Sequence, residues 1–352
     1  MSDFIGGEFW YDAQYRTDAV NVATQGMTFL NGGEAALRLI CDSLISQGIR
    51  DILLPSYVCS TLADAFERYG VRYTFYRIRE DFRIDLADLR QKAPSFKVLY
   101  VIDYFGYGFS DEEAAVFDQF KARRMLVIED DAQAGFNRAA RANVRFNSLR
   151  KLVPYDGSFF YSDRDMARNL EKFTGLANQR LPVIRQYRRG FADLIAAGAE
   201  SFDVLNPLFE QSEAHYYADL VVLGDPDERS AAERLDWAAI EAARKANHGR
   251  LCERLAGVAG IEILFPHVSP HGPPLGFPIY VRDGRRDALL GYLRERNVYP
   301  PVHWDVLADP RLNKIPETVS MSSKMITLLL DQRFSLDDMD YQAGVVRAFF
   351  GQ

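Results

Sequence analysis

Between about Gly32 and Ser162, short apolar runs alternate with amphipathic stretches, and this alternation restricts the chain to a series of βαβ units around a parallel sheet. "EAALRLICDSLISQG" has helical spacing and stops at Gly48. "DILLP" reads as a buried strand, "CSTLADAFERYG" as a helix ending at Gly70, and "VRYTFYRI" as the next strand. "DLADLRQKA" predicts a helix capped by Asp85, followed by the strand "KVLYVIDYFG", the helix "DEEAAVFDQFKARR" and the strand "MLVIEDDAQAG". Three strand ends carry polar residues: Pro55-Ser56-Tyr57, Asp103-Tyr104 and Glu129-Asp130-Asp131. Ligands of open parallel sheets bind at the carboxyl ends of strands, so a site belongs there.

At 352 residues the chain exceeds what one hydrophobic core usually serves, which predicts a second part. After Asp163 long helical stretches take over, of which "RDMARNLEKFTGLANQRLPVIRQYRRGFADLIAAG" is the longest. A polar break at "GDPDERSAAER" precedes the helix "LDWAAIEAARKANHGRLCERLAG". The remainder, with "IEILFP", "LGFPIYVRD", "RRDALLGYLRERN" and "VYPPVHW", reads as a small α+β unit. The expected division is a large domain over 1–230, N-terminal segment included, and a small C-terminal domain over 231–352.

Charge and cysteine content remove several function classes. With 42 basic against 49 acidic side chains the net charge is −7, which disfavours nucleic acid or an anionic membrane as the main partner. No segment reaches the ~18 apolar residues of a membrane span. The start, "MSDFIGGEFWYDAQYR", puts acids and aromatics where a signal peptide needs a basic start and an apolar run, so a cytoplasmic protein is expected. Cys41, Cys59 and Cys252 have neither disulfide nor metal spacing, and His267 and His271 lack acidic or Cys companions, so no metal site is expected. A local basic patch exists nonetheless. From Ala132 to Tyr155 there is no Asp or Glu, whereas Arg138, Arg141, Arg145, Arg150 and Lys151 are all present.

Three short motifs carry possible chemistry, and each has a plain alternative. Gly32-Gly33 leads into a helix whose free amides would suit a phosphate; alone, it is equally a turn. "VIEDDAQAG" delivers carboxylates into a loop, where an acid would hold a ring nitrogen protonated or simply cap a helix. "NSLRKLVPYDGS" sets Lys151 among basic and apolar neighbours, which lower an ammonium pKa; a lone lysine is otherwise a surface residue. His303 in "PPVHW" reads either as a border of the substrate or as structural.

In order, the Gly-rich helix start, "LPSY", "DYFG", "EDDAQ" and "SLRK...DGS" resemble the DegT/DnrJ/EryC1/StrS family of pyridoxal 5'-phosphate (PLP) dependent nucleotide-sugar aminotransferases. "PLGFPIYV", "VYPPVHW" and "LLLDQRF" extend the likeness over nearly the whole chain. The resemblance implies the PLP-dependent transferase fold of type I: an α/β fold with a mostly parallel sheet sandwiched by helices and a smaller C-terminal α+β domain. It implies Lys151 as the lysine that carries the cofactor, Asp130 against its ring nitrogen and Gln133 by its phenolic oxygen. Ser148 and the helix start at Gly33, Glu34 and Ala35 would take its phosphate, with Cys59, Asp103 and Tyr104 lining the pocket. Glu34 stands where the family has Thr, and its carboxylate is expected to oppose a phosphate unless the side chain turns away. Cys59 stands about where many members place an aromatic ring.

The implied partners are an amino-acid donor, glutamate in the family, and a keto-deoxy sugar on a nucleoside diphosphate. A homodimer with a shared site, serving surface-polysaccharide or secondary-metabolite biosynthesis, is implied as well. Two other classes compete: a noncatalytic protein of the same fold that binds a nucleotide sugar, suggested by Glu34 and Cys59, and a nucleotide-dependent sugar transferase of doubly wound fold.

Overall fold

The computed structural model describes residues 4–11, 14–20, 24–136, 141–164, 166, 170, 177–199, 201–218 and 223–352. Its first strands and helices alternate as the apolar runs predict: β1 (Thr28–Leu30), α1 (Gly33–Ser46), β2 (Asp51–Pro55), α2 (Ser60–Arg68), β3 (Arg72–Tyr76), α3 (Leu86–Lys92), β4 (Val98–Ile102), α4 (Asp111–Ala122) and β5 (Leu126–Asp131). β6 (Val144–Asn147) and β7 (Ser158–Ser162) complete a seven-stranded sheet of order β1-β7-β6-β5-β4-β2-β3. Pairing is parallel from β3 through β6 and antiparallel at β7 and β1. The change of direction has a simple cause. Only residues 148–157 separate β6 from β7, fewer than a parallel crossover needs, so the chain folds back as a hairpin.

Every residue of β4 is buried, because helices cover both faces, and this is why its sequence shows no polar alternation. Asp85 caps α3 as its position predicts, accepting from the amides of Ala87 and Asp88. Ser110 and Glu113 close a reciprocal capping box on α4.

The long helical stretch after Asp163 yields α5 (Arg180–Ala196), and α6 (Asn206–Ala218) follows; residues 165, 167–169 and 171–176 of that stretch lie outside the described residues, as does Arg138. α7 (Pro226–Glu233) and α8 (Trp237–Leu255) lead to a three-stranded antiparallel sheet of β8 (Ile261–Ile263), β9 (Phe277–Val281) and β10 (Met325–Leu328), order β10-β9-β8. α9 (Arg286–Arg294), α10 (Pro316–Lys324) and α11 (Leu336–Phe349) flank it. Ile5 packs into the core of this smaller sheet and exchanges backbone hydrogen bonds with Asn297 and Tyr299, both at 2.8 Å. "VYPPVHW" forms only an isolated bridge, Val298 with Ile5, and ends in a turn at His303-Trp304 that brings Trp304 to the site. Among the described residues no helix is long and apolar enough to cross a membrane.

β5 presents its acids alternately. Asp130 faces the cleft described below, while Glu129 and Asp131 share a hydrogen bond in the interior beside Arg145. Burial pushes both of these carboxyls above their ordinary range; the charge of Glu129 pushes Asp131 further up, whereas the hydrogen bond from Asp131 and the charge of Arg145 oppose the rise at Glu129. A raised folded value favours the protonated form, so this pair stabilises the fold at low pH and loses that contribution as pH climbs past the unfolded carboxyl value. Asp131→Asn, which keeps a donor toward Glu129, is therefore expected to gain stability relative to the parent between about pH 4 and about pH 8. A gain on the order of 1 kcal/mol is expected from urea unfolding at the two pH values; a difference that does not change with pH would refute the shared proton.

Candidate active site

The carboxyl ends of β4, β5 and β6 and the start of α2 border one cleft, which the start of α1, Tyr216 and Trp304 also line. β5 delivers Asp130, which is buried. Its Oδ2 accepts from the Tyr100 hydroxyl at 2.7 Å and its Oδ1 from the Ala132 amide at 2.8 Å. Tyr100 reaches it because β4 and β5 run in parallel register, Ile102 opposite Asp130. Burial raises the Asp130 pKa, and the Tyr100 bond, the Ala132 amide and the charge of Lys151 oppose the rise.

Lys151 ends a 3₁₀ turn, Leu149–Lys151, inside the β6–β7 hairpin. Leu149, Leu152 and Val153 anchor that turn in a separate apolar cluster. Two side chains clamp the Leu152 carbonyl: Gln332 donates at 2.8 Å and Arg244 at 3.3 Å. Gly157 closes the hairpin with φ 132°, and a Cβ there would stand 2.2 Å from the Phe29 ring, so only glycine fits. Burial lowers the Lys151 pKa; Cys59 and Asp130 oppose the shift and Arg150 adds to it. A lysine so placed holds more of its amine uncharged than a surface lysine does.

Gln133 is 1% exposed. Its Oε1 accepts from the Phe105 amide at 3.0 Å, whereas its Nε2 has no hydrogen-bond partner among the described residues and borders the cleft. Such an orphaned buried donor points to a missing acceptor. At the helix start Gly33 packs against Ser148; a Cβ on Gly33 would lie 3.9 Å from the Ser148 hydroxyl. The Glu34 carboxylate turns to Arg68 and Tyr69, each at 3.0 Å, so its charge is compensated at α2. Ala35 is buried and its side chain is not among those lining the cleft. Cys59 lies at the N-terminus of α2 with its sulfur 3.1 Å from the Thr61 hydroxyl.

A second cleft meets the first at Arg150 and Lys151 and is lined by Glu8, Arg244, His303, Thr327 and Arg333 among others. His303 Nδ1 lies 3.0 Å from the Thr327 hydroxyl, and burial beside Lys151 pushes the imidazole down to about 3, so it is neutral. Arg244 is consumed by the carbonyls of Leu152, Pro274 and Leu275 and by Gln332, and Arg333 by Asp331 and the backbone of Gly7 and Glu8.

No protein-family model matches the sequence, and no curated protein matches it significantly. Solved structures do match. The PLP form of a putative sugar aminotransferase from Streptococcus pneumoniae superposes with a TM-score of 0.69 at 14% identity over 99% of both chains. A DegT DnrJ EryC1 StrS aminotransferase from Brucella abortus gives 0.64 at 18% identity, covering 93% of this chain and 86% of that one. DesI, solved in the presence of its TDP-sugar product, gives 0.65 at 15% identity, covering 92% and 80%. The chain has the fold of these aminotransferases.

Within that fold Gly33, Glu34, Cys59, Asp130, Gln133, Ser148 and Lys151 all border the first cleft. Asp103 and Tyr104 do not. Asp103 Oδ1 accepts from the Gly108 amide at 2.7 Å, and the Tyr104 hydroxyl donates to the Tyr57 carbonyl, so both organise the loop behind the cleft. The strand end at Ser56-Tyr57 is likewise structural: Ser56 Oγ accepts from the Ile78 amide at 2.9 Å, and Tyr57 donates to the His303 carbonyl at 2.6 Å. Tyr100 and Tyr216 join the site without any motif to announce them, and Trp304 arrives as the last residue of "VYPPVHW".

Proposed function

We propose that the protein is a PLP-dependent aminotransferase that moves an amino group from an amino-acid donor, glutamate by resemblance, to a keto-deoxy sugar carried on a nucleoside diphosphate. The reading rests on one observation: an amine of lowered pKa, a buried carboxyl and an orphaned amide donor border one cleft at the start of a helix. PLP presents an aldehyde, a ring nitrogen, a phenolic oxygen and a phosphate, and the donor set matches these four groups in kind. Lys151 would take the aldehyde, Asp130 the ring nitrogen, Gln133 Nε2 the phenolic oxygen, and Ser148 with the amides of Gly33 and Glu34 the phosphate. When bound, the cofactor supplies an electron sink for the donor's α-carbon.

The chain's own residues do the rest. Asp130, oriented by Tyr100 and Ala132, keeps the ring nitrogen protonated, and that positive charge in turn favours the ionised carboxylate against burial. Lys151 stands where both clefts meet, so its amine can receive a proton on one side and return it on the other. Donor and sugar would enter by the second cleft, whose neutral His303 withholds charge from the amine. Of the two residues that suggested a same-fold binding protein, Glu34 has its carboxylate turned to Arg68, which removes one ground for it, and Cys59 is the other.

Absorbance of the purified protein with PLP, followed by borohydride reduction and peptide mapping, tests the reading. The expected label falls on the peptide containing Lys151; label on any other lysine overturns the site.

A further inference from the structure

We infer that Tyr216 and Arg150 complete an anion cradle at the start of α1 and hold the phosphate of the bound cofactor. The inference rests on the reading of the first cleft as a PLP site. It adds two groups, one from α6 and one from the residue before Lys151, to a cradle otherwise made of backbone amides and Ser148.

Tyr216 comes from a helix 182 residues away in sequence and lays its hydroxyl on the helix start, where it accepts from the Glu34 amide at 3.4 Å. Gly32 makes room for it. A Cβ at that position would lie 3.1 Å from the hydroxyl and 3.2 Å from the ring edge, on a backbone with φ 135° that suits glycine. The opposite side of the same helix start is Ser148, beyond Gly33. An N···O separation of 3.4 Å is long for an amide bond, so the phenol is weakly held by Glu34. An anion would replace that contact with shorter, charge-assisted bonds from the amide and from the phenol together.

Arg150 supplies the charge. Its guanidinium lies 4.3 Å from the Tyr216 ring centroid, with the Arg180 guanidinium 5.0 Å from the same ring. Nη1 of Arg150 donates to Glu213 at 2.8 Å, and its buried Nε has no partner among the described residues. The nearest carboxylate on α1, that of Glu34, is held by Arg68 and Tyr69. Two hydroxyls, the first-turn amides of a 14-residue helix and a cation with an unspent donor thus border one end of the cleft. This is the chemistry of a phosphate site, and it answers the loss of the family's Thr hydroxyl at position 34 with a hydroxyl from α6.

The test compares PLP with pyridoxal, which has the ring and aldehyde but no phosphate, by absorbance titration of the apoprotein. Tyr216→Phe keeps the ring beneath Arg150, and circular dichroism checks that the fold survives. Tyr216→Phe is expected to weaken PLP about tenfold, the worth of one hydrogen bond to a charged group, and to leave pyridoxal unchanged. Arg150→Gln removes a charge that also lowers the Lys151 pKa, so some change common to both compounds is expected, with PLP weakened more than pyridoxal. Equal weakening of both compounds, or PLP binding indifferent to both substitutions, overturns the inference. A parent protein that binds neither compound overturns the reading of the cleft and the inference with it.

Discussion

Lys151→Ala is expected to slow the change in cofactor absorbance on adding L-glutamate by about 10²- to 10⁴-fold, the range for removal of a positioned acid–base group. The substitution costs little elsewhere. The turn is held by Leu149, Leu152 and Val153 in their apolar cluster and by the Gln332 and Arg244 bonds to the Leu152 carbonyl, none of which involves the lysine side chain. PLP is therefore still expected to bind, through the helix start and Asp130, but borohydride is expected to leave no label on the protein. The half-buried amine also sets the pH dependence. Burial lowers its pKa, so the uncharged form is reached at lower pH than for a surface lysine. An added small amine is expected to restore part of the rate in the variant, with a pH profile that follows the added amine. Full activity in Lys151→Ala would remove the enzymatic reading, whatever the fold.

How far these features were legible in the sequence depends on whether their signal is local. β2 and β4 are buried runs of branched residues ending at polar positions, and such runs read directly as core strands. Gly33, Asp130, Gln133, Ser148 and Lys151 belong to short motifs at the ends of such strands, so their nearness in space follows from sheet order. β6 has only four residues among arginines, and β7 pairs antiparallel to its neighbour, so neither carries a strong periodic signal. Asp103 and Tyr104 stand at a strand end like Asp130, yet their side chains close loops; position along a strand does not fix where a side chain spends its hydrogen bonds. Tyr100 looks like any apolar core residue until the β4–β5 register sets its hydroxyl on Asp130. Tyr216 is beyond local reading altogether, because only the packing of α6 against the start of α1 brings it to the site.

Asp156→Ala is expected to destabilise the fold by about 3–5 kcal/mol, because it strands two buried cations. Asp156 is 4% exposed and lies five residues after Lys151. Its Oδ2 accepts from Arg180 Nε at 2.6 Å and its Oδ1 from Arg188 Nη2 at 2.8 Å, with both arginines at most 1% exposed. Its backbone amide donates to Glu228 at 2.8 Å, so α5, α7 and the lysine hairpin converge on this one residue. Burial alone would raise its pKa, but Arg188 and Arg180 outweigh burial and hold the carboxyl below the usual range. A depressed folded value gives stability that is present above the unfolded carboxyl pKa of about 4 and is lost as pH falls through the folded value. Urea unfolding of parent and variant should therefore show the full gap near about pH 7 and a narrowing gap on acidification below about pH 4. Arg180 also reaches Glu213 at 2.8 Å and Arg188 reaches Glu8 at 3.2 Å. Those two carboxylates are partly solvated, so they cannot replace the buried one at equal strength. A loss below about 1 kcal/mol in Asp156→Ala would mean that they do, and that the hairpin carrying Lys151 is held by its apolar anchors and the Gln332 and Arg244 bonds to the Leu152 carbonyl.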